Sequence, residues 1–398
     1  MKIALLGPIS TQDFFSFIKK RDIKSLPKGH GSSFVSQLAI GLLELGHKVS
    51  VITLSDDITD NKIVVYKNKK FNIYYCPLRK RAFRLSGFLV GRAADFFYRE
   101  IRYMRQAITQ DNPDIINAHW AYEYAFAAIT SKKKYVLTNH DIPHVILKYN
   151  LNLYRLVRFI MGCITLRIAK KITTPSMYAK LQTKKYTNRP ISIIPNCLNK
   201  DLINSKIKNK ETNKKMKIVM INNGFDRRKN LKTALKAFKE FNKNFPYSTL
   251  CLFGNAMEQE GPCYKWAKKN NLDNNVYFYG LVYQIDLMKV LHKYDILLHT
   301  ALEETFGNIF LEAMIKGVPI IAGKNSGAAP EVIKNNGILV DVSNIEQLVY
   351  GLNKYTQNPN FWKKIRYKAY YYVKNKYSNK KIVKKYLDLY KKTLNNKN

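Results

Sequence analysis

Two carboxylates stand eight positions apart in the segment Glu303-Glu304-Thr305-Phe306-Gly307-Asn308-Ile309-Phe310-Leu311-Glu312-Ala313-Met314, which runs on to Gly317-Val318-Pro319-Ile320-Ile321-Ala322. Their spacing puts two carboxylates, Glu304 and Glu312, into one small space. Gly307 frees the backbone at a turn, and the apolar positions Ile309, Phe310, Ala313 and Met314 recur at helical spacing, which puts Glu312 two turns into a helix. The amides around Phe306, Gly307 and Asn308 then lie at a helix start, where unsatisfied N–H groups and the helix dipole favour an anion. Two glutamates at this spacing are, by themselves, commonly solvated surface residues. The flanking Phe-Gly, Glu-Ala-Met and apolar strand make the block informative.

The elements that position this block alternate strand and helix. The chain opens with a strand at Ile3 to Gly7, the loop Lys28-Gly29-His30-Gly31-Ser32-Ser33, a helix from Phe34 to Leu45 closed by Gly46, and a strand from His47 to Leu54. Ser32 or Ser33 suits the N-cap and Gly46 the C-cap. Short apolar strands follow at 114–117, 135–138, 172–174 and 191–194. Residues 201–216 are polar and aperiodic and read as a linker. The pattern restarts with strands at 217–221, 249–254, 276–280, 296–299, 318–322 and 337–340, and the tail after Asn358 is helical in pattern. Strands of this kind between helices predict parallel sheets. The apolar positions Leu85, Phe88, Leu89, Phe96, Phe97, Ile101, Met104 and Ile108 predict one helix over 84–108, either packed on the sheet or touching a membrane, with Arg92, Arg99, Arg102 and Arg105 around it.

The block from Glu303 to Ala322 resembles the donor-sugar signature of the retaining family 4 glycosyltransferases, and the resemblance extends over most of the chain. It implies an α/β protein of GT-B fold: two Rossmann-like doubly wound domains facing a central cleft. The expected domains are 1–205, binding the acceptor, and 214–375, binding a nucleotide sugar, with a C-terminal helix over 376–398 that packs back on the first. The resemblance implies that Glu304 lies by the donor sugar and that Glu312 hydrogen-bonds the ribose. A nucleoside diphosphate leaving group develops negative charge, which needs cations or amides. Asn223-Gly224-Phe225-Asp226-Arg227-Arg228-Lys229-Asn230 should supply them, with Lys229 on the diphosphate. Phe225 stands where the family commonly has arginine after the glycine, so the arginine partner is Arg227 or Arg228. Gly29 and Gly31 resemble the family's Gly-Gly turn, here split by His30. His140, in Thr138-Asn139-His140-Asp141, matches a strand-end histidine on the sugar and acceptor side. Asn117-Ala118-His119-Trp120 ends the preceding strand and fits acceptor contact or core packing equally. Glu331 matches a glutamate near the nucleotide pocket, or complements a helix dipole. Pro195-Asn196-Cys197 reads as structural.

Length and composition fit this reading. A chain of 398 residues exceeds what one core usually supports. Five cysteines without Cys-x-x-Cys spacing argue against a disulfide framework and a zinc site, and no Asp-x-Asp or histidine spacing suggests metal ligands, so metal-independent chemistry without a cofactor is expected. The net charge of +40 is spread over both halves: 33 Lys and Arg against 12 Asp and Glu in residues 1–200, and 35 against 16 in the remainder. With no base-reading motif beside it, this charge does not point to nucleic acid. It invites an anionic-membrane reading or reflects a compositional bias toward Lys, Asn, Ile and Tyr, while Arg92, Arg99, Arg102 and Arg105 suit anionic headgroups or a lipid diphosphate acceptor. No apolar run reaches spanning length and no signal peptide is evident, so a cytoplasmic protein, peripheral at the inner face of the membrane, is expected. The reaction expected is transfer of a sugar from a nucleotide-diphosphate donor to an acceptor hydroxyl of a glycan or lipid-linked acceptor, with retention, in bacterial surface polysaccharide or lipopolysaccharide assembly. The rivals are a nucleotide-sugar epimerase or hydrolase of the same fold, and a non-catalytic polyanion- or membrane-surface-binding protein.

Overall fold

The structure, a computed structural model, describes residues 1–29, 31, 33–84, 90–211 and 215–395. It divides into two compact units, Met1–Asn199 with Asn379–Asn398, and Lys200–Ser378. The expectations placed on His30, Ser32, Leu85, Phe88 and Leu89 lie outside the described residues.

The first unit holds eight strands: β1 (Lys2–Leu6), β2 (Lys48–Ser55), β3 (Val64–Lys67), β4 (Phe71–Pro77), β5 (Ile115–His119), β6 (Tyr135–Thr138), β7 (Ile172–Thr174) and β8 (Ile191–Ile193). Their order across the sheet is β3-β4-β2-β1-β5-β6-β7-β8. All pairs are parallel except β3 with β4. β1 and β5 are buried along nearly their whole length, β1 with apolar residues after Lys2 and β5 with Asn117 and His119 among its buried positions, as strands covered on both faces must be. One face packs on helix Ser33–Glu44 and on the last helix, Asn379–Asn395, through Ile382, Val383, Tyr386, Leu387 and Tyr390. Tyr390 Oη also donates to Asn117 Oδ1 at 2.6 Å, tying that helix to β5.

The second unit holds β9 (Lys217–Ile221), β10 (Thr249–Phe253), β11 (Val276–Gly280), β12 (Ile296–His299), β13 (Ile320–Gly323) and β14 (Ile338–Val340), all parallel, in the order β11-β10-β9-β12-β13-β14. The chain builds outward from β9 through β10 to β11, then returns to the other side of β9 and builds through β12 to β14. The connections therefore diverge between β9 and β12. In open parallel sheets such a switch point leaves a crevice at the carboxyl ends of the strands. β1 and β5 stand in the same relation in the first unit.

Two expectations are corrected, and one element is new. The hairpin β3–β4 was not foreseen; Asn68 Oδ1 accepts from the amides of Lys70 (2.9 Å) and Phe71 (2.7 Å) and closes its turn. Among the described residues the helix expected over 84–108 starts at Tyr98 and runs to Asp111, because Phe96 and Phe97 both take left-handed backbone (φ 52° and 61°), which no helix interior accommodates. Its buried face carries Met104, Ala107 and Ile108, so this part of the stripe packs on the sheet. The segment expected as a linker begins as helix Lys200–Asn204, which belongs to the second unit. In the second unit the Ser205 carbonyl accepts from Tyr370 (2.9 Å), and Arg366 donates to the carbonyls of Lys208 (2.8 Å) and Lys210 (3.2 Å).

Removing residues 379–398 uncovers the apolar face of the first sheet. Hydrogen exchange of the truncated chain is expected to accelerate in β1, β2 and β5 while β9 to β14 keep their protection; unchanged exchange in the first unit would refute this dependence.

Candidate active site

The crevice position of the second unit is occupied by two loops. The one after β9 contains Lys229; the one after β12 contains Glu304. Seventy-five residues separate them in sequence, yet Lys229 Nζ donates to Glu304 Oε1 at 2.9 Å. The side chains are 10% and 17% exposed, so this ion pair is largely withdrawn from water. His299, the last residue of β12, brings Nε2 to 3.3 Å from the same oxygen; the imidazole is buried, and its Nδ1 has no hydrogen-bond partner among the described residues. Burial pushes the Glu304 carboxyl upward, but the Lys229 charge and His299 outweigh it and hold the group well below the usual carboxylate range.

Backbone bonds fix these loops. Lys229 N donates to Asp226 Oδ1 (3.0 Å), Thr300 Oγ1 donates to the Lys229 carbonyl (3.2 Å), and Leu302 N donates to the Arg228 carbonyl (2.8 Å). Ala328 N donates to the Glu304 carbonyl (2.8 Å), which brings in the loop after β13. Gly307 takes φ 78° at the start of helix Asn308–Ile315, and a Cβ there would meet the Phe310 ring at 2.4 Å, so glycine is needed on both counts.

Glu312, on that helix, is 6% exposed and accepts from Gln284 Nε2. Among the described residues no cation is paired with it as Lys229 is with Glu304. Burial dominates, and the Gln284 bond offsets only part of it, so its carboxyl is pushed up to about 7. The two glutamates are therefore opposite in character: Glu304 a fixed anion, Glu312 a group poised between charged and neutral near pH 7. Environments that pull two carboxyls apart in this way commonly mark functional sites.

The remaining expected residues divide. Arg228 lies 3.7 Å from Glu303 and is the arginine drawn into the site, whereas Arg227 is exposed. Gly224 takes φ 104° in the loop after β9. Phe306 is buried with its ring 6.1 Å from Tyr377, and Asn308 opens the helix. Glu331 is half-buried in the first turn of helix Ala329–Ile333. His299 and Gln284 were missed by the sequence reading, although His299 carries the same signal as His140, a histidine ending a strand. Asn222, directly after β9, was missed too. It is 4% exposed, and both its amide atoms lack hydrogen-bond partners among the described residues.

In the first unit His140 Nε2 lies 3.0 Å from His119 Nδ1, and Trp120 and Phe34 pack on the His140 ring. Burial lowers both histidines, His140 to about 3, so the pair shares one hydrogen bond as neutral rings. Asn117 and His119 are core residues; Asn117 Nδ2 donates to Thr138 Oγ1 at 2.8 Å. Trp120 instead lines a cavity of about 220 Å³ that Arg92, Glu123, Asp141 and Arg158 also border. Gly29 takes φ 70°, and a Cβ there would meet the Ile9 carbonyl at 2.4 Å; Gly31 is exposed.

Two expectations follow from these charge states. Lys229→Ala leaves Glu304 buried without its cation and should cost roughly 2–4 kcal/mol in chemical denaturation, with Glu304→Gln added in the same chain recovering part of it; additive losses would deny the coupling. Glu312 has a folded pKa above its unfolded one, so between about 4.5 and about 7 the folded state holds a proton that the unfolded state has shed. Its contribution to stability therefore falls as pH rises through that window. Glu312→Gln should gain stability relative to the parent protein from pH 5 to pH 8, by up to about 3 kcal/mol; a pH-independent difference would contradict the raised pKa.

The comparisons with known proteins bear on the fold and the family. The model of Glycosyltransferase Family 4 matches residues 31–202 and that of Glycosyl transferases group 1 matches residues 203–372. The chain is 24% identical over 396 residues to N-acetyl-alpha-D-glucosaminyl L-malate synthase of Bacillus anthracis, covering 93% of this chain and 96% of that protein. Among solved structures it is similar to WaaG, a glycosyltransferase involved in lipopolysaccharide biosynthesis (TM-score 0.68, 16% identity, 97% of this chain and 99% of that one). It is also similar to Anabaena Alr3699/HepE in complex with UDP and glucose (TM-score 0.66, 15% identity, 98% and 100%). With two parallel-sheet Rossmann-like units and both halves matched in order, the chain belongs to the family 4-type glycosyltransferases of GT-B fold.

Proposed function

We propose that this glycosyltransferase moves a sugar from a nucleotide-diphosphate donor to an acceptor hydroxyl with retention of configuration and without a metal. The observation that carries this reading is the Lys229–Glu304–His299 cluster at the β9/β12 switch point, beside the helix start at Asn308. Lys229, Arg228 and the helix-start amides concentrate positive charge where a departing diphosphate gathers negative charge. Glu304, held ionised, is a poor proton acceptor and a good partner for positive charge developing at the anomeric carbon. In the transfer the bond from that carbon to the phosphate oxygen breaks, the bond to the acceptor oxygen forms on the same face, and the acceptor proton passes to the phosphate oxygen.

Glu312, when ionised, accepts from the ribose hydroxyls, and the ligand's donors then supply what burial withholds from the free carboxylate. The donor is assigned to the second unit and the acceptor to the first, where His140 and Trp120 face the acceptor side. HepE in complex with UDP supports a uridine donor as the first candidate, and WaaG, involved in lipopolysaccharide biosynthesis, supports a surface glycan or lipid-linked acceptor.

The test is calorimetric binding of UDP-, GDP- and ADP-sugars with chelator present, followed by NMR of the anomeric centre in the product. One nucleotide class is expected to bind, and the linkage to keep the donor's configuration. Glu304→Gln should bind the nucleotide within about threefold of the parent protein while transfer falls by about a hundredfold or more. Loss of binding and transfer together would remove Glu304 from the chemistry, and no nucleotide binding by the folded protein would refute the donor site.

A further inference from the structure

Helix Leu153–Ile168 of the first unit is apolar on two faces. One face, Val157, Met161, Gly162, Thr165 and Leu166, is buried. The other is a stripe of Leu153, Leu156, Ile160, Ile164 and Ile168, each between 38% and 60% exposed. At about 100° per residue these five fall within an arc of about 120°, a continuous ridge along the whole helix. Leu151, just before the helix, is 83% exposed. A soluble helix ordinarily turns polar residues outward, and a contiguous exposed ridge of this kind marks a contact surface.

The sequence around the ridge is one-sided in charge. From Ile142 to Lys200 there is no Asp or Glu, against eleven Lys and Arg. At the carboxyl end of the helix, Arg167 borders an open cleft of about 740 Å³ with Lys184, Lys185 and Arg189. None of these belongs to the nucleotide site, so the surface stands independently of the donor reading.

We infer that this face seats the protein on an anionic lipid bilayer, the isoleucine and leucine ridge entering the acyl boundary and the Arg167/Lys184/Lys185/Arg189 cleft taking lipid phosphate. Charge decides the occupant. A second copy docked about a two-fold axis would set the same Lys- and Arg-rich segment against itself, which like charges oppose, whereas an anionic headgroup layer neutralises it. Among the described residues no helix is long and apolar enough to cross a membrane, so the attachment is from one side. The helix matches interfacial anchors in having an apolar stripe with cations beside it. Met104 and Ile108 of the stripe expected over 84–108, once a candidate for this role, are packed on the sheet instead.

The full chain should co-sediment with vesicles of phosphatidylcholine containing about 30 mol% phosphatidylglycerol, tenfold or more better than with pure phosphatidylcholine, and should release in about 1 M salt. Ile160→Glu with Ile164→Glu, and separately Lys184→Ala with Lys185→Ala and Arg189→Ala, should each lower partitioning at least tenfold while leaving nucleotide-sugar binding and the unfolding midpoint unchanged. Retained nucleotide binding separates this outcome from failure of the donor site. The inference is overturned if the parent protein ignores anionic vesicles, or if the ridge variant binds them as well as the parent does. It is also overturned if the ridge holds a dimer that sediments without lipid and that Ile160→Glu disperses.

Discussion

The second unit's site depends on one largely buried ion pair between residues that the sequence sets far apart. Lys229 follows β9 and Glu304 follows β12, strands that are neighbours only because the chain reverses its direction of building at that point. Removing two charges from water is costly, and the cost is recovered when each compensates the other at hydrogen-bond distance. The pair therefore fixes the relative position of two loops and, through the Ala328 amide on the Glu304 carbonyl, a third. What is stabilised is a particular charge state at a particular place, which is what stabilising a charged transition state requires.

The contrast with Glu312 follows from the same physics applied without a cation. Its carboxyl is as deeply buried, but an amide from Gln284 is a weaker partner than an ammonium group, so burial prevails. A carboxyl left in this condition gains from any ligand that brings hydroxyl donors, because the ligand relieves a desolvation penalty already incurred in folding. The neutral His119–His140 pair in the first unit is a third case, in which burial, helped at His119 by the neighbouring His140, removes charge from two groups that would otherwise repel.

Much of this was legible in the sequence. The strand-ending motifs fell where the structure puts them, because parallel strands buried on both faces read as short apolar runs and their loops carry the polar residues. Glu304, Lys229, Gly307 and Glu312 were visible as types at spacings. The choice of Arg228 over Arg227 was not, because it depends on which side chain the loop turns toward Glu303. His299 and Gln284 reach the two glutamates across the fold, and nothing local announces such contacts. The break at Phe96 and Phe97 was hidden because the apolar spacing on either side continues in helical period, while the left-handed turn is imposed by tertiary packing. The protonation of Glu312 is invisible in sequence, since it follows from burial and not from residue type.

The account rests on two glutamates holding opposite charge states in one unit, and carbon-13 NMR of selectively labelled glutamate carboxyls, titrated from acid to neutral pH, observes this directly. Glu304, assigned by its loss in Glu304→Gln, should stay ionised to the acid edge of the folded range, while Glu312 titrates near 7. Both carboxyls titrating together at the ordinary value near 4.5 would contradict the account.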